Sequence, residues 1–309
     1  MELIKCGGTL AIIATLLFSP NLSRSQEANF NNEAIWASGT FRTEYVWGIR
    51  SMANGKHYTT QEYDENEGSC IIKWSYKTGQ IVDTLLTSNE AFGDPRETFQ
   101  GYEFGSDERF VLLTTASEGL YRHSFYANFY VYDFEARDDA RPITDFKLGK
   151  QRLAQLSPAG DRVAYVRDNN IFISDLATGE EIQVTQDGVM NELINGATDW
   201  VYEEEFGDDQ GLFWNGDGTR LAYLKFDESE VREFSMPVYG GLYPDPYIFK
   251  YPKAGEENSK VTVHIYTLAD NQSRAVAVPK TAHYIPRIKW TNDPSTLCIF
   301  TMNRHQNDL

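Results

Sequence analysis

One pattern returns along the chain: a polar turn, a strand ending in aromatics, a tight turn, an alternating strand and another turn. Its clearest copy is LSPAGDRVAYVRDNNIFISDLATGEEIQVT, residues 156–185. There Gly160 follows the Ser157-Pro158 turn, Val163 to Val166 form a strand, Asn169-Asn170 reverse the chain, Ile171 to Leu176 return it, and Thr178-Gly179 open the next hairpin. Further copies occupy 51–85 and 104–143, then 213–226 with a resumption at 261–278 after a long insertion, and a last one opens at Arg287. The turns near Asn54, Ser106, Ser157, Asn215 and Asn292 are 52, 51, 58 and 77 residues apart. A unit of this period has a core only when its neighbours stack on it, whereas the turn signals of a sandwich would recur at shorter spacing. The expected fold is all-β, a β-propeller of four-stranded blades. Long amphipathic helices are missing, and the helical exception is a short stretch from Trp200 to Phe206. The last copy breaks off after about two strands, at NRHQNDL, so the chain reads as an interrupted ring.

The first residues, MELIKCGGTLAIIATLLFSPNLSRSQ, carry Lys5, an apolar run from Cys6 to Phe18 and a small-x-small site at Ser23-Arg24-Ser25. That is the grammar of a secretory signal cleaved near Ser25, with an uncleaved anchor as the alternative. The expected division is a signal peptide over 1–25 and an incomplete propeller over 26–309. Cleavage removes Lys5, Arg24 and Glu2 from 28 basic and 45 acidic residues, leaving 26 and 44 and a net charge of about −18. Nucleic acid is excluded as a partner, because a phosphate backbone needs a basic footprint. Cys70 and Cys298 both sit in apolar strand-like stretches, which favours two buried free thiols over a disulfide.

The stretch DWVYEEEFG, Asp199 to Gly207, departs from the blade pattern and places Glu203, Glu204 and Glu205 in a row between aromatics. Trp200 and Tyr202 are expected to anchor this insertion, with some of the acids facing out. Adjacent carboxylates near low-dielectric walls repel one another, and a cation held between them relieves the repulsion. A primary ammonium, with three donors, suits such a pair. From composition alone the same run also reads as a solvated acidic loop.

Residue by residue, DWVYEEE resembles the signature of the dipeptidyl peptidase IV family of serine exopeptidases, within the prolyl oligopeptidase group. YRHSFYANFYVYD, residues 121–133, is similar to the family's second-blade segment, with its Arg-His-Ser triplet at Arg122, His123 and Ser124. YPKAG, residues 251–255, is similar to a third segment in the correct order. The resemblance implies an eight-bladed propeller, of which this chain holds about half, fused to an α/β-hydrolase domain that is absent here. It implies that Glu204 and Glu205 grip the substrate's free amino terminus, that Glu203 has a structural role, and that Arg122 binds a backbone carbonyl of the amino-terminal dipeptide. A guanidinium supplies fixed donors and stays charged at any working pH. Ammonium and carbonyl contacts together would set the distance from the scissile bond to the nucleophile.

No nucleophile elbow of the form Gly-x-Ser-x-Gly occurs among the 309 residues. KWSYK, Lys73 to Lys77, mimics the family's elbow, but lysines replace both glycines, so Ser75 reads as a blade residue. The five histidines show no metal spacing, and His123 reads as a packed or hydrogen-bonded strand residue. Asp208 to Gln210 and Asn215 to Gly218 read as turns rather than calcium loops. Asn271-Gln272-Ser273 fits a glycosylation sequon. No catalytic residue, metal or cofactor is assigned. The chain is thus expected to be the amino-terminal, substrate-gating portion of an exported exopeptidase that releases Xaa-Pro or Xaa-Ala dipeptides. Its partners would be peptides with a free amino terminus, the missing hydrolase domain and a second copy in a homodimer. The alternatives are a tripeptidyl variant of the same family and a non-catalytic propeller that binds peptides or proteins.

Overall fold

The computed structural model describes residues 30–43 and 45–309. The leader expected at 1–25 lies outside the described residues. Two compact units divide at Trp47 and Gly48. In the first, a single wide helical turn, Glu33–Ala37, exposes Trp36, and Phe30 stacks on Phe41 with ring centroids 5.0 Å apart.

The second unit is a succession of antiparallel sheets. Blade I contains β1 (Arg50–Ser51), β2 (His57–Asp64), β3 (Gly68–Ser75) and β4 (Ile81–Thr87), and the short helix α1 (Ser88–Phe92) follows it. Blade II is β5 (Gly101–Phe104), β6 (Phe110–Gly119), β7 (Phe125–Asp133) and β8 (Arg141–Pro142). Blade III is β9 (Arg152–Leu156), β10 (Arg162–Arg167), β11 (Asn170–Asp175) and β12 (Glu181–Gln183). In blade IV, β13 (Leu193–Asn195) leads to helix α2 (Trp200–Phe206), and β14 (Leu212–Trp214) and β15 (Arg220–Asp227) follow. The long insertion is a two-stranded ribbon, β16 (Glu233–Val238) with β17 (Asp245–Lys250). Then β18 (Lys260–Thr267) and β19 (Gln272–Val276) complete blade IV, and β20 (Tyr284–Trp290) pairs with β21 (Leu297–Met302). This is the all-β, four-stranded blade architecture expected from the repeat. Ser75 is, as expected, the last residue of a blade strand.

Alternation along the strands explains how the blades stack, since successive side chains point to opposite faces of a sheet. Val111 and Leu113 on β6 pack with Ile71 and Leu86 of blade I, while Leu112 between them packs with Val163 and Tyr165 of blade III. In turn Ala164 and Val166 face blade IV, joining Leu221, Leu224, Phe226 and Val263, and Ile285 and Ile288 of β20 close the same cluster. Each core therefore lies between two blades, and both faces of an inner strand are buried.

Three details differ from the sequence reading. The helix α1 was not anticipated. Thr87 caps it, its hydroxyl accepting from Glu90 N at 3.1 Å, and left-handed Gly93 ends it. His123 lies in the turn between β6 and β7, not in a strand. Of the two cysteines among the described residues, both free, Cys70 is buried but Cys298 is exposed, because β21 pairs there with β20 alone.

The inner edge of blade IV is split, and the split positions α2. Both β13 and β14 pair with β15, Asn195 opposite Lys225 and Leu212 opposite Tyr223. The chain leaves the sheet at Gly196 and returns at Gly211, where Gly211 N donates to Gly196 O at 3.1 Å. Gly196 has φ +77°, and a Cβ there would lie 2.7 Å from Ile171 Cγ1; a Cβ on Gly211 would lie 2.9 Å from the Gly196 carbonyl carbon. Only glycines fit this neck.

Gly196→Ala or Gly211→Ala in the intact protein should therefore cost about 1–3 kcal/mol of stability, read as a lower denaturation midpoint. An unchanged midpoint would mean the neck is not close-packed. A second prediction concerns Glu228, which follows β15 and is 4% exposed. Burial, reinforced by Asp199 and opposed by Lys250 and Arg152, pushes its carboxyl up to about 8 from 4.5. Its folded-state pKa is raised, so its contribution to stability is complete below about 4.5 and is lost as pH rises through about 8. Glu228→Gln should flatten the decline of the urea midpoint over that interval, and a variant with the wild-type slope would refute the assignment.

Candidate functional site

Helix α2 begins at Asp199, whose Oδ1 accepts from Tyr202 N at 2.9 Å and whose Oδ2 accepts from Ser259 Oγ at 2.5 Å. Burial raises the Asp199 carboxyl above its ordinary range, while the donors from Ser259 and Tyr202 work against that rise. Left-handed Gly207 closes the helix by donating to the Tyr202 carbonyl. Tyr202 and Phe206, one turn apart, face the core with ring centroids 5.0 Å apart, and the Tyr202 hydroxyl accepts from Ile285 N at 2.8 Å. Trp200 lies on Tyr251 at 4.4 Å. The helix is thus stapled to β20 and to the segment after β17.

Consecutive helical residues point about 100° apart, so three glutamates in a row cannot share one environment. Glu203 turns inward and is 1% exposed. Its Oε1 accepts from His123 N at 2.5 Å and Ser124 N at 3.0 Å, which fastens α2 to the β6–β7 turn. Glu204 is half-buried and meets Arg122, whose Nε donates to both carboxylate oxygens at 2.8 and 3.0 Å. Glu205 is exposed and borders a cavity of about 320 Å³ with Trp200, Tyr251, Pro252, Lys253 and Arg304. The three sequence segments singled out above therefore converge: the triplet at 122–124 on Glu203 and Glu204, and the segment 251–255 beside Trp200 and Glu205.

The long β6–β7 hairpin makes this convergence possible. β5 pairs with β6 only over Val111 to Thr114, opposite Phe104 to Gly101, so the distal halves of β6 and β7 overhang the blade. The turn at their tip is closed by Leu120 N donating to Ser124 O at 2.9 Å, and Leu120 O accepts from Tyr247 OH of the ribbon at 3.2 Å. Arg122 is exposed, and its terminal Nη groups have no partner among the described residues. Its guanidinium is oriented by Glu204 yet retains free donors. Chemically, the arrangement offers carboxylates for a cation next to a charged donor for a carbonyl.

Sequence reasoning grouped Arg122, Glu204 and Glu205. The structure joins the first two and directs Glu205 to the neighbouring cavity. It also brings in Asp199 as the helix cap and Arg152, the first residue of β9, in a second cavity. The cap was legible in the Asp199 to Gly207 spacing, but nothing in GKQRLAQL marks Arg152 as other than a strand residue.

Comparisons with known proteins agree with this architecture. Residues 105–309 match the family described as dipeptidyl peptidase IV N-terminal region. A "Probable dipeptidyl-aminopeptidase B" of Podospora anserina is 37% identical over 237 residues, covering 72% of this chain and 26% of the relative. The "Dipeptidyl peptidase 4" of Trichophyton tonsurans is 34% identical over 258 residues, covering 80% of this chain and 31% of the relative. The crystal structure of Porphyromonas gingivalis dipeptidyl peptidase 4 superposes with a TM-score of 0.80 at 44% identity, covering 87% of this chain and 38% of that one. The chain spans about a quarter to a third of the length of the curated relatives it matches. Stacked blades and the matches to both sequence and structure agree in placing this protein in the dipeptidyl peptidase IV family, as part of its amino-terminal propeller region.

Proposed function

We propose that this chain is the substrate-gating propeller portion of an exported serine exopeptidase that releases amino-terminal Xaa-Pro or Xaa-Ala dipeptides. The catalytic serine, aspartate and histidine belong, in this reading, to a hydrolase domain beyond these residues. The observation that carries the proposal is the contact between Arg122 and Glu204, 82 residues apart in sequence, made next to an exposed Glu205. Glu204 holds the guanidinium through Nε alone, so the Nη groups are left to donate to a substrate carbonyl. The substrate ammonium sits on the rim of α2 and takes one carboxylate from Glu204 and one from Glu205, whose exposed side chain can turn towards it. Fixing an ammonium and a carbonyl on rigid elements sets the register of the peptide, and an unblocked amino terminus becomes the requirement for productive binding.

In the complete peptidase, Glu204→Gln and Glu205→Gln should each lower kcat/KM for a dipeptide substrate with a free amino terminus by on the order of 100-fold. Residual turnover of the amino-acetylated substrate should stay where it was. Wild-type turnover of the free substrate by both variants would remove the ammonium clamp. Arg122→Lys keeps the charge but not the planar fork, and should fall by about 10-fold or more on the same substrate.

A further inference from the structure

A cavity of about 570 Å³ opens beside the Arg122 turn, bounded by blades II and III. Arg122, Ser124, Arg152, Asp209 and Gln210 belong to its wall. Arg152 is 3% exposed, and its Nε and Nη2 donate to no group among the described residues. Ser124, 2% exposed, likewise has an Oγ without a partner. A buried charge is ordinarily paired, and a buried guanidinium with two idle donors is expensive.

The neighbours do not account for it. The Tyr126 ring centroid is 5.8 Å from the Arg152 carbon. Glu203 commits Oε1 to two backbone N–H groups, and its buried Oε2 attracts Arg152 through space but accepts a hydrogen bond from no group among the described residues. Of the other charges on the wall, Arg50 lies near Glu103, and Arg122 is engaged by Glu204. Asp209 acts on Arg152 only through space. Burial accordingly holds the Arg152 guanidinium below its usual range. What the arginine lacks is a planar acceptor that its Nε and Nη2 can grip together, which is the geometry of a carboxylate.

We propose that this cavity is a carboxylate-binding subsite, in which Arg152 Nε and Nη2 donate to the two oxygens and Ser124 Oγ–H donates to one of them. The carboxylate is carried either by an acidic side chain of a bound peptide or by a free small acid. The subsite depends on Arg152 and Ser124 and not on the ammonium clamp, so either can fail without the other.

The test is calorimetric titration of the intact protein with glutarate at low salt, in the wild type and in Arg152→Gln, Arg152→Lys and Ser124→Ala. Saturable binding to the wild type, weakened at least tenfold by Arg152→Gln and severalfold by each of the other two, is expected. No binding to the wild type, or equal binding to all variants, overturns the proposal. A parallel titration compares two peptides differing only in a first-residue glutamate or glutamine. A preference for the glutamate peptide that disappears in Arg152→Gln assigns the carboxylate to a side chain, and equal binding of both peptides beside glutarate binding assigns it to a free acid.

Discussion

The Glu203 carboxylate holds the candidate site together. Its Oε1 accepts from the backbone N–H groups of His123 and Ser124, joining the tip of blade II to a helix that belongs to blade IV. Arg122 is the next residue along that tip and Glu204 the next along that helix, so their contact follows from the Glu203 anchor. A buried acid that satisfies two otherwise orphaned backbone donors is costly to remove, because both donors would be left without acceptors. It makes a rigid hinge point between elements that share no sheet.

The ring architecture makes such an anchor necessary. Blades touch through their flat faces, where the buried residues of β6 and β10 alternate between the two neighbours. That packing fixes each blade against the next but leaves the loops above the inner strands to find their own partners. Helix α2 does so by splitting the inner edge of blade IV, through a neck that only Gly196 and Gly211 fit. The neck, the Asp199 cap and the Tyr202 hydroxyl on Ile285 N fix the axis of the helix, and Glu203 fixes its rotation. With axis and rotation set, the directions of Glu204 and Glu205 follow from helical geometry.

Much of this was legible in the residues. Gly160 at φ +71° marks the turn between β9 and β10 of blade III, and the helix over Trp200 to Phe206 has its boundaries in Asp199 and Gly207. The short helix after blade I was legible too, since Thr87 and Glu90 have capping spacing, but it lies between the copies at 51–85 and 104–143, where the strand repeat offered no guide. Cys298 could not be read as exposed, because TLCIF alternates like a buried strand and its exposure depends on which strands pair with it. The divergence of Glu204 and Glu205 is a consequence of helical rotation and so follows from the sequence once the helix is granted. The meeting of Arg122 with Glu204 and the isolation of Arg152 do not follow from local sequence, because each depends on how distant blades stack.

Amide hydrogen exchange at His123 and Ser124 tests the central claim most directly. Both residues sit in a turn outside the sheet ladder, and His123 is exposed, so turn geometry alone would leave their amides unprotected. With Glu203 as their acceptor, both should exchange slowly in the wild type and lose protection selectively in Glu203→Ala, while the ladder amides of Leu112 and Val131 keep theirs. Fast exchange at His123 and Ser124 in the wild type would contradict the account, because blade II and helix α2 would then not be tied by this carboxylate.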